Sequence, residues 1–281
     1  MAEDDAGARC TACGREYPRV DGLVALVPEV TAQHASQREY FDAEFSAYER
    51  YTIENWRQSF LDRIFAALRL RAGEDRYLDV GVGGSGATVI EAARAGVDAW
   101  GCDLSLAGIA QARAFADAEG VAERARFVVS SAESLPFPDG SFTGVSAVAL
   151  LEHVDDDAVA VAELARVTAP GARVWAMVPH AFRYMPPPVW PLYWWHDRRI
   201  GHKRHYTAEQ LVALFSAAGF AHESTEFSAH PVKLMQHALE RALPGLRRPS
   251  SRWWWRLERL DRRAASRPWG ALHLAAAFRR L

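Results

Sequence analysis

The chain has 281 residues, 49% hydrophobic and 24% charged, an ordinary globular composition that favours one domain with appendages over two full domains. Its formal net charge of −2 gives no whole-chain case for nucleic acid, yet it averages +8 from Gly245 onward against −10 over residues 1–244. No apolar run approaches the ~18 residues that span a bilayer, the acidic start Met1-Ala-Glu-Asp-Asp is no signal peptide, and three cysteines make no disulfide framework, so a cytoplasmic protein is expected.

Cys10-Thr-Ala-Cys13 is a knuckle-like turn able to supply two zinc thiolates. A structural zinc wants four ligands, and the chain has no second Cys-x-x-Cys. Cys10 and Cys13 are therefore read as a weak zinc half-site, with no bound metal expected. Val20, Leu23, Val24 and Leu26 predict a short hairpin that closes an N-terminal segment, 1–30. Residues 31–72 read as a helical cap, with Phe60, Leu61, Ile64, Phe65 and Leu68 at helical spacing and Gly73 as the stop. Tyr40, Phe41, Phe45, Tyr48, Tyr51 and Trp56 either pack on the domain or close over a ligand as a lid.

From Tyr77 the pattern alternates, giving the last unit, 73–281. Strands are predicted near 76–81, 98–103, 126–130, 143–149, 172–178, 220–227 and 271–278, with helices near 86–95, 106–118, 157–167 and 208–218. Such alternation means an α/β fold with a mostly parallel sheet covered on both faces, and ligands collect at the carboxyl ends of its strands.

The first of these strands runs through Leu78-Asp79-Val80 into Gly81, Gly83 and Gly86, a G-x-G-x-x-G loop that opens a helix. Asp79, two residues before the first glycine, decides between ligands. A carboxylate at the loop entrance repels a pyrophosphate and welcomes an amino group, so S-adenosylmethionine is favoured over NAD. Asp103 ends the second strand, 17 residues past Gly86, where it can accept both ribose hydroxyls or cap the helix that starts near Leu104. Ser131, Ala132 and Glu133 follow the third strand, where a hydroxyl and backbone amides can meet an adenine edge. Leu150-Leu151-Glu152-His153 ends the fourth and brings an imidazole toward the methyl group.

The acceptor side is read from residues 180–206. Methyl transfer requires alignment, exclusion of water and removal of a proton, and histidine suits the last task. His153, His202 and His205 are the candidate catalytic residues, with His180 as a further one. Thr207 and Gln210 also make an ordinary capping box. Tyr184 to Trp195 carries four prolines, which argues against a regular helix, and many rings, which argue for an apolar pocket, a lipid contact or simple packing. Residues 231–268 form a basic helical insertion before the last strand. One helix is predicted near Leu234–Leu243 and a second over 251–265, with Trp253, Leu257, Leu260 and Ala264 on one stripe beside Arg252, Arg256, Arg259 and Arg263. The second stripe fits an anionic membrane surface, peripherally at the inner face, and no nucleic-acid reader accompanies it.

Together these motifs, over residues 75–227, resemble the class I S-adenosylmethionine-dependent methyltransferases, in the group of small-molecule enzymes with the ubiquinone-biosynthesis type of domain. Cys10 to Gly22 resembles the latter half of the zinc-ribbon-like segment that precedes some of them. The resemblance implies a Rossmann-like, seven-stranded sheet with the last strand antiparallel, S-adenosylmethionine as cofactor, and cofactor contacts at Asp79, Gly81, Gly83, Gly86, Asp103, Leu104, Ser131, Ala132, Glu133 and Leu150. It also implies a small-molecule acceptor, with Gly201-His202-Lys203-Arg204-His205-Tyr206-Thr207 among its contacts. Ser131 departs from the family's usual aspartate, as Thr143 does from another aspartate and Ala172 from a glycine. The expected activity is methylation of a hydroxyl on a partly apolar acceptor such as a lipid intermediate, quinone precursor or secondary metabolite. The alternatives are an NAD-type oxidoreductase and an inactive adaptor that docks at membranes.

Overall fold

The computed structural model describes residues 2–3, 7–9, 11, 14–20, 22–27, 32–45, 51, 55–187, 190–231 and 252–281. Cys10, Cys13, Tyr48, the helix expected near Leu234–Leu243 and the side chains of Trp56, Arg252 and Trp253 lie outside the described residues. The elements run β1 (Ala2–Glu3), β2 (Gly7–Arg9), β3 (Glu16–Val20), β4 (Leu23–Leu26), α1 (Ala32–Phe45), α2 (Asn55–Leu68), β5 (Arg76–Val80), α3 (Ala87–Arg94), β6 (Asp98–Asp103), α4 (Leu106–Ala118), β7 (Ala125–Ser130), β8 (Phe142–Val148), α5 (Asp157–Val167), β9 (Thr168–Pro179), α6 (Trp190–Ile200), α7 (Ala208–Ala217), β10 (Phe220–Ser228), α8 (Arg252–Arg263) and β11 (His273–Arg280).

One sheet holds all eleven strands, in the order β1-β2-β3-β4-β7-β6-β5-β8-β9-β11-β10. The stretch from β4 to β9 is parallel, and β11 lies antiparallel between β9 and β10. The seven strands expected from the pattern form an unbroken run from β7 to β10. The count of seven is corrected to eleven because the β3–β4 hairpin, paired at Arg19↔Val24 and Val20↔Leu23, lays Ala25 and Leu26 beside Val129 and Ser130 on the free edge of β7. Strands this short carry too little periodicity to be counted from sequence.

Both faces are apolar, as a sheet covered twice requires. Leu78, Val80, Val145, Leu164, Phe215, Leu274 and Phe278 build one core, and Tyr77, Ile90, Ile109, Phe127, Trp175 and Ala275 the other. Alternation along β11 shows the pleat directly: Leu274 and Phe278 face the first core, Ala275 and Ala277 the second. Chain direction across the sheet reverses at β5, with β6 and β7 on one side and β8 and β9 on the other. The carboxyl ends flanking that reversal are where a ligand crevice opens in such sheets.

Two sequence expectations need correction. A helix does form after the prolines: α6 begins at Trp190, with Pro191 in its first turn, where a missing N–H costs nothing. In α8 the inward side is acidic rather than the expected Leu257–Leu260–Ala264 stripe. Glu258 and Asp261 are 1% and 2% exposed, whereas Leu260 is 49% exposed. The cause is Arg63 of α2, buried with its guanidinium 3.5 Å from Glu258, 3.7 Å from Asp261 and 3.4 Å from Glu226. A buried cation must be paired, so α8 turns its acids in and leaves Trp255, Arg256, Arg259, Leu260 and Arg263 outside. Among the described residues no helix is long and apolar enough to cross a membrane.

Removing Arg63 takes a shared cation from three carboxylates, although Glu258 keeps Arg262 at 3.0 Å and Asp261 keeps His230 at 2.8 Å. Arg63→Met is expected to lower the unfolding free energy by about 3–5 kcal/mol, measured by denaturant titration. An unchanged transition would mean that the acids are satisfied without Arg63.

Candidate active site

Gly81 turns β5 into the loop with φ 79°, donating its N–H to Cys102 O at 2.8 Å. A Cβ there would stand 3.0 Å from the Leu150 side chain. Gly86 starts α3 with φ 59°, and a Cβ on it would meet Phe127 at 2.9 Å and Ala112 at 3.0 Å. Both positions therefore exclude a side chain twice, by conformation and by space.

Asp79 is 3% exposed and accepts hydrogen bonds from the hydroxyls of Thr88 and Ser146. The Tyr77 hydroxyl meets the same Ser146 oxygen at 2.5 Å. Burial pushes the Asp79 carboxyl up to about 6, against the opposing effect of the two hydroxyls and with a small further rise from Asp103. Asp103 accepts from Gly83 N and Ser105 N, each at 2.9 Å, and burial pushes its carboxyl up as well. Asp103 thus fastens the glycine loop to the start of α4. The N-cap of that helix is Ser105, which accepts from Gly108 N at 2.9 Å, so Asp103 does not cap it.

A cleft opens at these carboxyl ends, where ligands collect in such sheets. Of the expected cofactor contacts, Gly81, Asp103, Leu104, Ser131, Ala132, Glu133 and Leu150 line it, and Asp79, Gly83 and Gly86 are not among its lining residues. Cys102, Val154 and His153 complete much of the remaining wall. The segment after β7 is held from below by α5. Leu135 N donates to Glu163 at 2.8 Å, and Arg166 donates to Leu135 O at 2.8 Å and Phe137 O at 2.6 Å. Ser131 Oγ accepts from Glu133 N at 3.2 Å. Thr143 accepts from Arg76 N at 2.9 Å and so registers β8 against β5.

Helix α1 lies across this cleft. Gln37 lines it and donates to the His153 carbonyl; Phe41 meets the His153 ring edge-on at 5.3 Å. Phe45 covers the loop so closely that a Cβ on Gly84 or Gly108 would come within 2.6 or 2.7 Å of it. Asp42 accepts from Ser105 Oγ and from Ala107 N at 3.1 Å, where the positive end of α4 favours a carboxylate. Of the aromatic residues of 40–45, Phe41 thus packs on His153 and Phe45 on Gly84 and Gly108.

Three histidines gather at the other end. His153 and His202 have ring centroids 4.9 Å apart, and His202 and His205 5.9 Å. Asp197 of α6 joins them, 2.9 Å from His202 Nδ1 and 2.8 Å from His205 Nε2. Burial opposes its charge, but the bonds from His202 and His205 prevail and take its carboxyl down to about 2. Burial pushes His153 down to about 4, helped by the charges of His202 and Lys203. Glu152, 1% exposed, is pushed up to about 8 by burial, with Asp197 adding and Arg204 opposing. Arg204 donates to Leu151 O at 3.1 Å and Tyr206 to Asp157 at 2.7 Å, so the arginine and tyrosine of the 201–207 segment bind it to the turn after β8. Thr207 and Gln210 form the expected capping box of α7. His180 is fully buried, stacked on Tyr184 at 4.4 Å, with Nδ1 3.2 Å from Ala271 O. Sequence reasoning missed Gln37, Asp42 and Asp197. A lone acid five residues before a histidine carries no signal until the turn at Gly201 folds one back on the other.

Residues 78–176, about a third of the chain, match the family described as "Methyltransferase domain". Residues 78–176 thus carry a methyltransferase domain. The chain is 32% identical over 156 residues to norajmaline N-methyltransferase of Rauvolfia serpentina, covering 56% of this chain and 52% of that one. It is 34% identical to 27-O-demethylrifamycin SV methyltransferase of Amycolatopsis mediterranei, over 45% and 46% of the two chains. The chain therefore spans about half the length of these relatives. In fold, the methyltransferase domain and its flanks are similar to geranyl diphosphate C-methyltransferase from Streptomyces coelicolor A3(2), with a TM-score of 0.66 at 15% identity over 89% of this chain and 98% of that one.

Asp79 gives the domain a measurable pH dependence. The unfolded carboxyl ionises near its ordinary 3.8 and the folded one near 6, so between those values the folded chain keeps a proton that the unfolded chain has lost. Stability falls as pH rises through that window, by up to about 3 kcal/mol, and levels off above it. Asp79→Asn is expected to remove this slope, gaining on the wild type between pH 4 and pH 7 in parallel unfolding titrations. Parallel curves would show that Asp79 ionises normally.

Proposed function

We propose that this chain transfers a methyl group from S-adenosylmethionine to a hydroxyl oxygen of a small, partly apolar acceptor, such as a lipid intermediate, quinone precursor or secondary metabolite. The reading is carried by one observation: the glycine loop, Asp103, the Ser131–Glu133 segment and His153 meet in a single cleft under α1. The residues present fit the cofactor. Its charge is cationic at sulfur and at the amino group, and the cleft is backed by Asp79 and edged by Asp103, acids that burial makes costly to ionise alone. Asp103 is the ribose contact in this reading, Ser131 to Glu133 the adenine side, and Leu150 the apolar wall. When bound, the cofactor supplies an electrophilic methyl group on a sulfur that needs no proton to leave.

The protein's part is to orient the acceptor, exclude water and take its proton. Helix α1 covers the cleft, with Phe41 and Gln37 on His153. His153 is neutral at pH 7 and reaches the cleft, which suits it to contact the acceptor. His202, with Nδ1 on Asp197, has Nε2 as its basic nitrogen, the arrangement of a carboxylate-held base. The relatives named above differ in the atom their names specify, nitrogen in one and oxygen in the other. Oxygen is preferred here because a hydroxyl must lose a proton and the histidine cluster can receive it.

Calorimetry tests the cofactor. S-adenosylhomocysteine is expected to bind and NADH not to, with Asp103→Ala weakening the former about 10- to 100-fold, the range of a lost hydrogen bond to a charged group. NADH binding without homocysteine-analogue binding would sink the reading. A labelled methyl donor incubated with extracted metabolites then identifies the acceptor, and transfer to any of them excludes the inactive adaptor.

An anionic membrane is the partner that the α8 face fits. Trp255 and Leu260 are 39% and 49% exposed beside Arg256, Arg259 and Arg263, and the outward acids one expects on a solvated helix are turned inward. Trp194, Trp195 and Trp269 add exposed rings, with Arg198 lying 3.9 Å over Trp194. Co-sedimentation with phosphatidylserine vesicles is expected, and Arg256→Glu with Arg259→Glu is expected to abolish it. Equal sedimentation of that variant would remove the membrane from the proposal.

A further inference from the structure

The turn after β8 and the turn after α6 bring together more donor atoms than proton transfer uses. Glu152 Oε2 is buried without a hydrogen-bond partner, and so is Nδ1 of His153. These residues are 1% and 8% exposed. A native fold seldom leaves such atoms unmatched, and each one calls for an explanation. His202 faces both: its Nε2 lies 3.9 Å from Glu152 Oε1. Donor atoms of Glu152, His153 and His202 all lie within 4.8 Å of one another.

We propose that Glu152, His153 and His202 form a binding site for one divalent transition-metal ion, with Asp197 as the residue that positions His202. The donor set is two imidazoles and one carboxylate, the set that suits zinc and iron(II) and leaves positions open on the ion. Metal-bound histidines are held through their other nitrogen by a carboxylate, which fixes the tautomer and the ring. Asp197 Oδ1 does this to His202, 2.9 Å from its Nδ1, so that Nε2 keeps its lone pair for the site. Bonds of 2.0–2.1 Å place tetrahedral ligand atoms about 3.4 Å apart, so side-chain rotation on the order of 1 Å closes the set. The backbones need not move, since Lys203 N donates to Glu152 O at 2.9 Å and Tyr206 to Leu151 O at 3.2 Å. Lys203, next to His202 in the chain, pairs with Asp155.

His153 lines the cleft, so an ion on its imidazole stands at the cleft wall. This inference rests on the reading of that cleft as the methyl-transfer site and narrows its acceptor to one with an oxygen able to ligate a metal. One lone pair on His202 cannot hold a proton and a metal at once. With the ion bound, the acceptor hydroxyl is acidified by the ion instead.

The test uses the untagged full chain with Cys10→Ser and Cys13→Ser, which removes the thiolate half-site as a source of metal. After chelator treatment it is dialysed against Zn²⁺ or Co²⁺, and bound metal is counted by mass spectrometry. One ion per chain is expected, with cobalt absorption bands of a nitrogen–oxygen site. Glu152→Gln and His202→Ala should each weaken binding at least 100-fold; Asp197→Asn should weaken it 10- to 100-fold while one ion still binds at high metal, the effect of an outer-shell partner. Binding of S-adenosylhomocysteine is measured on every variant to show that it folds. Loss of uptake in the cysteine-free chain, or uptake that Glu152→Gln leaves unchanged, overturns the proposal. If the metal binds and S-adenosylhomocysteine does not, the methyltransferase reading fails and the metal site stands.

Discussion

Three carboxyl groups, those of Asp79, Asp103 and Glu152, stand at the ends of β5, β6 and just past β8, and no arginine or lysine among the described residues ion-pairs with any of them. Their partners are hydroxyls, backbone amides and an imidazole. Desolvation therefore lifts all three carboxyls above their ordinary range. Elsewhere the same chain pairs its buried charges with care, as at Arg63 with Glu258 and Asp261. The contrast leaves three carboxyls at neighbouring strand ends costly to ionise unless a positive charge approaches them.

How much of this could be read beforehand follows from how local each determinant is. Helices at 106–118 and 157–167 occupy the predicted ranges because their caps, Ser105 and Asp156, and their apolar faces lie within the segments themselves. The glycine spacing was legible for the same reason: three left-handed positions within six residues leave a mark no other arrangement makes. Features set by distant partners were not legible. The face that α8 buries is chosen by Arg63, 195 residues before Glu258. The edge that receives β4 belongs to β7, more than 100 residues later. His153, His202 and Asp197 come from separate elements, so sequence named the histidines as separate candidates and the structure gathered them around Asp197.

Helix α1 shows how a weak segment can hold an exacting position. Its anchors on the domain include Asp42 at the start of α4, Arg38 on Leu104 O at 3.2 Å, Gln37 on the His153 carbonyl and the ring of Phe45 against bare glycines. Each anchor lands on a residue of the cleft or one beside it. The position of α1 over the cleft is thus set by contacts to the cleft's own residues and their neighbours.

The place of β11 has a consequence for how the chain assembles. β10 touches the sheet through β11 alone, and β11 is the last element in sequence. During synthesis β9 waits with a bare edge, and β10, packed on α7, waits with no neighbouring strand while residues 229–272 are made. Docking of β11 then joins both in one step, eight paired positions on one side and seven on the other. Until that moment an apolar edge headed by Val174, Ala176 and Val178 is open to any strand that meets it, including one from another copy of the chain.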